Sequence, residues 1–148
     1  MDEFASPFKI DLPVGWEDQT VYHFQGPAID GTPHTLILVI DRHLQDVDIR
    51  EFANQRIEPI TEALQGLEVL KSEETTIEFG HPTYEFVYKW MPSDDVRIYQ
   101  KYIFVIGNGL GFTFSASFTK KSFKTLALQL KDVVEAVLPG TYKPLEEE

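Results

Sequence analysis

Gln100, Thr113, Ser115 and Ser117 are the side chains of this sequence best placed to do chemistry of a binding kind. Hydroxyl and amide groups set among large apolar residues can satisfy the polar atoms of a membrane-type helix, and a small neighbour such as Gly111 lets a backbone come close. Catalytic patterns are poorer. The four histidines, His23, His34, His43 and His81, are scattered over strand and loop positions without HExxH, HxH or a helical pair, so turn and surface roles are expected. Gly107-Asn108-Gly109-Leu110-Gly111 lies between two strand patterns, where no helix N-terminus is available to hold a phosphate. There is no GxSxG, and the pairs Glu73-Glu74 and Asp94-Asp95 fall in turns, where solvated charge is ordinary. We therefore expect no enzyme, no metal and no cofactor.

The polar set is positioned by Val96 to Phe118, VRIYQKYIFVIGNGLGFTFSASF, which reads as two long strands joined by Asn108-Gly109. That turn fixes a register. Gly107 faces Leu110, Val105 faces Phe112, Ile103 faces Phe114, Lys101 faces Ala116 and Tyr99 faces Phe118 on one side. The other side pairs Ile106 with Gly111, Phe104 with Thr113, Tyr102 with Ser115 and Gln100 with Ser117. We expect the first side to carry the core and the second the function.

Composition bounds the remainder. A chain of 148 residues can bury roughly 70% of its unfolded surface as one domain. No cysteine is present, which excludes disulfides and thiolate sites. The acidic start has neither a basic n-region nor an apolar h-region, and the apolar runs Leu36 to Ile40 and Tyr102 to Ile106 are far below the roughly 20 residues of a membrane span. A cytoplasmic protein without stable membrane insertion is expected. The net charge of −11 disfavours nucleic acid and anionic membranes.

Strand patterns are expected at Phe8–Leu12, Thr20–Gln25, Thr35–Asp41, Leu67–Phe79 (bent near Lys71 to Glu74) and Pro82–Met91, besides the two already named. Gly80-His81 closes a hairpin in which Ile77 faces Tyr84. The turn Met91 to Val96 then puts Tyr84, Phe86, Tyr88 and Trp90 on the core side with Tyr99 and Ile103. A helix capped by Asp48, with Pro59 kinking or breaking it near Arg56 to Glu58, ends at Gln65-Gly66. A second runs from Lys121 to Leu138. The plan is α+β: a single curved antiparallel sheet of about six to seven strands with two main helices on one face. Residues 1–148 form one domain, frayed at 1–5 and 141–148. Two helices about 10 Å across cannot cover both faces of strands about 4.8 Å apart. The face left over should carry Tyr22, Phe24, Ile37, Val39, Val87, Ile98, Gln100, Tyr102, Phe104 and Ile106. It suits a homodimer interface, burial by loops, or a seat for an apolar segment of another protein.

Five stretches resemble a known family: FKIDLPVGWEDQTVYHF from Phe8, PHTLILVID from Pro33, FANQRI from Phe52, GHPTYEFVYKW from Gly80 and YQKYIFV from Tyr99. They resemble the DcrB-like proteins and, within these, the Eag-type adaptor chaperones of bacterial type VI secretion. The resemblance implies a PsbP-like fold and a cytoplasmic homodimer without enzymatic activity. It further implies a partner: an effector with N-terminal transmembrane helices and a PAAR domain, held on the apolar sheet face, with Gln100, Ile98 and Val39 as contacts. A related non-enzymatic domain for a small hydrophobic ligand or soluble partner is the alternative. The envelope lipoprotein branch is disfavoured because the chain lacks the signal and the cysteine.

Overall fold

The structure, a computed structural model, describes residues 11–137 except 30, 45, 77–79 and 108. Six strands alternate with two helices in the order β1 (Val21–Gln25), β2 (Thr35–Asp41), α1 (Ile49–Ala63), β3 (Glu68–Thr76), β4 (Pro82–Ser93), β5 (Val96–Gly107), β6 (Leu110–Phe118) and α2 (Lys120–Val137). They build one open sheet in the order β1-β2-β6-β5-β4-β3, antiparallel at every junction. Most of the Phe8–Leu12 strand pattern and the two ends expected to fray, 1–5 and 141–148, fall outside the described residues; Asp11 and Leu12 are irregular.

The β5–β6 hairpin has the register its turn dictates, from Tyr99 opposite Phe118 to Gly107 opposite Leu110. Gly109 supplies the positive φ, 77°, that a two-residue hairpin loop needs. The β4–β5 hairpin corrects the sequence reading. Asp94 and Asp95 link Ser93 to its partner Val96, but the ladder shifts between Ser93 and Trp90, so Trp90 faces Ile98 and Tyr84 faces Phe104. The extra residue falls at Met91-Pro92, where proline has no N–H to give the ladder. One residue of slip turns every side chain over. Tyr84, Phe86, Tyr88 and Trp90 therefore share a face with Tyr102 and Phe104, not with Tyr99 and Ile103. In the β3–β4 hairpin the partner of Tyr84 is Glu74, where the sequence reading expects Ile77, a residue outside the described ones.

Both faces consequently carry core. One cluster joins Phe52, Ala53 and Ile57 of α1 to Tyr84, Phe86, Tyr88 and Phe104; the other joins Ala127, Leu130 and Val134 of α2 to Leu38, Ile103, Val105, Phe112 and Phe114. Phe104 lies between Ile103 and Val105, and neighbours along a strand point to opposite faces. The helices thus cover opposite faces, which corrects the expectation that both lie on one. The topology supplies a reason. Strands β2 and β3 run the same way across the sheet, so α1 is a crossover of fixed hand that takes one face, while α2 packs on the other.

Each helix covers a diagonal half. The first packs on β4 and β5, the second on β5 and β6. Asp48 caps α1 by accepting from the Glu51 amide at 2.8 Å. Pro59 neither breaks nor ends α1, which continues to Ala63 with Leu64 as its cap. The ring sits on the exposed side, where the carbonyl it leaves unbonded can turn to water.

Candidate functional site

Diagonal cover leaves half of each face open. On the α1 face the open half is floored by β1, β2, β6 and the lower part of β5. Register places Val21 opposite Val39, Ile37 opposite Ser115, Val39 opposite Thr113, Tyr102 opposite Ser115 and Gln100 opposite Ser117. Val21 and Val39 are 52% and 42% exposed, Ile37, Ile98, Gln100, Tyr102, Thr113 and Ser115 are half-buried, and Ser117 is exposed. Ser117 donates its hydroxyl to Gln100 Oε1. Along this floor no formally charged side chain occurs between Asp41 at one end and Ile98 at the other.

One flank of the floor is α1. Arg56 reaches from it to Asp41 at 2.7 Å and lies over the Phe52 ring at 3.7 Å from its centroid. Burial pushes the Arg56 guanidinium down, against the pull of Asp41. Beneath that flank Tyr102 stacks between Tyr88 and Phe104, and Phe104 meets Phe52 edge-on at 6.2 Å. Burial, then the charge and hydroxyl of Tyr102, pushes the Tyr88 phenol up to about 12. Burial raises Tyr102 also. At the Asp41 end the floor opens into a cleft of about 310 Å³ walled by Glu17 to Val21, Val39, Thr113 and Arg56 among others.

Of the ten residues expected on the open face, five lie together on this floor, Ile37, Val39, Ile98, Gln100 and Tyr102, while Ile106 shares the face but packs half-buried against the α1 cluster. Phe104 has the right face but is fully buried under Phe52, so it supports the floor without being reachable. Tyr22 and Phe24 are corrections, since pairing with Leu38 and Leu36 turns them to the α2 face. Val87 is another: it lies on that same opposite face, 5% exposed, with Lys71 and Lys101 as its two cross-strand neighbours.

His34 is the buried polar group that sequence reasoning missed. Its Nδ1 lies 3.0 Å from the Pro27 carbonyl and its Nε2 2.7 Å from Ser122 Oγ. A carbonyl only accepts, so Nδ1 carries the proton and Nε2 accepts from the serine. Ser122 also closes a reciprocal cap, its Oγ accepting from the Thr119 amide at 3.0 Å and its amide donating to Thr119 Oγ1 at 3.1 Å. A serine beside an imidazole has the makings of a nucleophile. Ser122 is 1% exposed, however, so the pair ties β2 to the start of α2, with His34 at the edge of the cleft between the β1–β2 end and that helix.

Among the described residues no helix is long and apolar enough to cross a membrane. A family model described as DcrB matches residues 9–136. No curated protein matches the chain. Among solved structures the chain is similar to PA94, a Pseudomonas aeruginosa protein of unknown function, at 17% identity with 91% of each chain covered and a TM-score of 0.71. It is also similar to cyanobacterial PsbP from Synechocystis, at 16% identity with 88% of this chain and 97% of that one covered and a TM-score of 0.52. At such identities the likeness is one of fold, and the fold is PsbP-like.

Proposed function

The chain belongs to the DcrB family, and from that premise we propose that it is a non-enzymatic adaptor chaperone whose uncharged sheet floor holds the transmembrane segments of a secretion effector. The observation that carries this reading is the floor between Val21, Val39 and Gln100: apolar, uncovered, and crossed by the hydroxyls of Thr113, Ser115 and Ser117. Polar groups so placed can bond the stray hydroxyls and amides of a membrane helix while the aliphatic groups replace lipid. Resemblance to the Eag-type adaptors sharpens the partner to a type VI effector with N-terminal transmembrane helices and a PAAR domain, met in the cytoplasm.

Size argues for two subunits. The exposed run of β6 from Thr113 to Ser117 spans about 17 Å, whereas a spanning helix is about 30 Å long. A homodimer would supply the remainder. Val39→Asp combined with Gln100→Ala is expected to keep the fold and the dimer and to abolish co-purification of such an effector. Unchanged recovery would remove the floor from consideration.

A second reading has its own observation. A cleft of about 170 Å³ between the β1–β2 end and α2 is lined by Phe24, Leu36, Phe118 and Leu130 among others, smaller than a drug-sized pocket but close to an apolar cavity that takes up a benzene-sized molecule. Native mass spectrometry of freshly purified protein separates the two, because only this reading expects a bound small molecule.

A further inference from the structure

One exposed apolar element remains without a role. Pro13 to Trp16 form a turn closed by the Trp16 amide on the Pro13 carbonyl at 3.1 Å, with Gly15 at φ 95°. Around it Leu12 is 41%, Trp16 70% and Val14 fully exposed. Three large apolar side chains on a short turn are costly to leave in water, which marks them as a contact. Their place says with what. Glu17, the next residue, begins the wall of the cleft that opens from the Asp41 end of the floor, and that wall runs into Val21 of the floor itself.

Charge selects the partner's end. The rim sets three carboxylates, Glu17, Asp18 and Asp41, against two guanidiniums: Arg56 holds Asp41 at 2.7 Å, whereas Arg42 comes only to 3.8 Å of Asp18 and His43 to 3.9 Å of Glu17. Glu17 and Asp18 stay exposed in a chain of net charge −11. The hydroxyl bond from Thr20 holds Asp18 below the usual carboxylate range, so it remains ionised. A membrane helix ends in a similar setting, with indole rings at the apolar boundary and lysines or arginines meeting anions beyond it.

We propose that the Leu12–Trp16 turn and its acidic shoulder form a collar for the guest, in which Trp16 packs on the last apolar turn and Glu17 and Asp18 meet the flanking lysines or arginines. This rests on the floor being the guest seat. The probe is a fluorescent peptide with an 18-residue Leu/Ala core flanked by lysines, compared with one flanked by glutamates. With the full chain, the lysine form is expected to bind about ten-fold tighter at low salt, with the gap closing as salt rises. Trp16→Ala with Val14→Ser should weaken the lysine form about ten-fold. The wild-type emission lost in Trp16→Phe should shift to shorter wavelength on binding.

Each contrary result has its own meaning. If Val39→Asp loses the peptide and the Trp16 variant does not, the collar is wrong and the seat stands. If wild type binds neither peptide, or binds them as Val39→Asp does, seat and collar fall together. If Trp16 emission shifts with phosphatidylcholine–phosphatidylglycerol vesicles and not with peptide, the turn is a membrane contact and the collar is overturned.

Discussion

The two uncovered halves lie at opposite ends of one sheet, on opposite faces, and differ in what they are made to face. On the α2 face, over β3 and β4, Lys71 meets Glu85 at 2.7 Å and Glu73 at 3.7 Å, and Lys89 meets Glu68 at 3.4 Å. The bond to Glu85 holds Lys71 above the usual lysine range, while burial pulls Lys101 down. Lys71 and Lys101 flank Val87 across the strands, and the Lys71 ammonium is held by Glu85. That half covers itself. On the α1 face, over β1, β2 and β6, there are valines, isoleucine and hydroxyls, with His23 opposite Ile37 at the edge, and among the described residues no lysine folds down to shield them. An open face is thus no sign of a binding site until its charges are counted.

The largest effect that sharpens this contrast comes from Phe104, which shares a face with the open floor but is covered. Phe104→Ala should cost about 3–5 kcal/mol of stability in urea unfolding. Val39→Ala, on the same face and 42% exposed, should cost under about 1 kcal/mol. Equal costs would mean that α1 does not sit where Phe52 and Phe104 meet. Next in size, Val39→Asp should weaken a transmembrane peptide by about 100-fold, since a buried carboxylate without a partner costs several kcal/mol. Gly111→Ala tests the boundary between covered and open floor. A Cβ there would stand 2.5 Å from the Phe52 ring, and the displacement should cost about 1–3 kcal/mol.

How far the sequence discloses this contrast depends on what fixes each register. Asn108-Gly109 defines its own loop, so every pair from Tyr99–Phe118 to Gly107–Leu110 is legible. Spacing alone places α2, observed at Lys120–Val137, and the cap of α1. The bulge at Met91-Pro92 is legible only as a proline in a strand, and missing it reverses β4, which is why Val87 was assigned to the floor. The Asp30-Gly31 dipeptide is a turn signal and Ile29 pairs with Thr32 on either side of it, but the register has shifted by one residue where Gln25 meets Thr35, so alternation alone misplaces the faces of Tyr22 and Phe24. His34 and Ser122 are 88 positions apart, and no local pattern joins them.

A smaller effect should appear in alkali. The Tyr88 phenol, pushed up to about 12 by burial and by Tyr102, ionises in the unfolded chain near the ordinary value of about 10. Above the unfolded value the unfolded state sheds its proton first, so the stabilisation is complete below pH about 10 and is lost as pH rises towards 12. Tyr88→Phe should flatten the fall of stability across that window. A slope equal to that of wild type would show that Tyr88 is not held neutral beneath the flank of α1.

The smallest effect belongs to the charged half, and its smallness is the point. Lys71→Ala and Glu85→Ala, singly and together, should each change stability by about 1 kcal/mol, because Lys71 is 41% exposed and a pair open to water on one side gains little, even with Glu85 at 15%. Neither should alter peptide affinity at low salt. Replacing Lys71, Glu85 and Lys89 together by Met, Gln and Met would instead thin the charge around Val87 to Glu68, Glu73 and Lys101 and bring that half nearer the condition of the floor across the sheet. If lack of charge is what makes a face a seat, that triple variant should gain weak binding of the same apolar peptide. A triple variant that stays inert would move the weight of the explanation onto the hydroxyls of Thr113, Ser115 and Ser117, which the charged half has no means to copy.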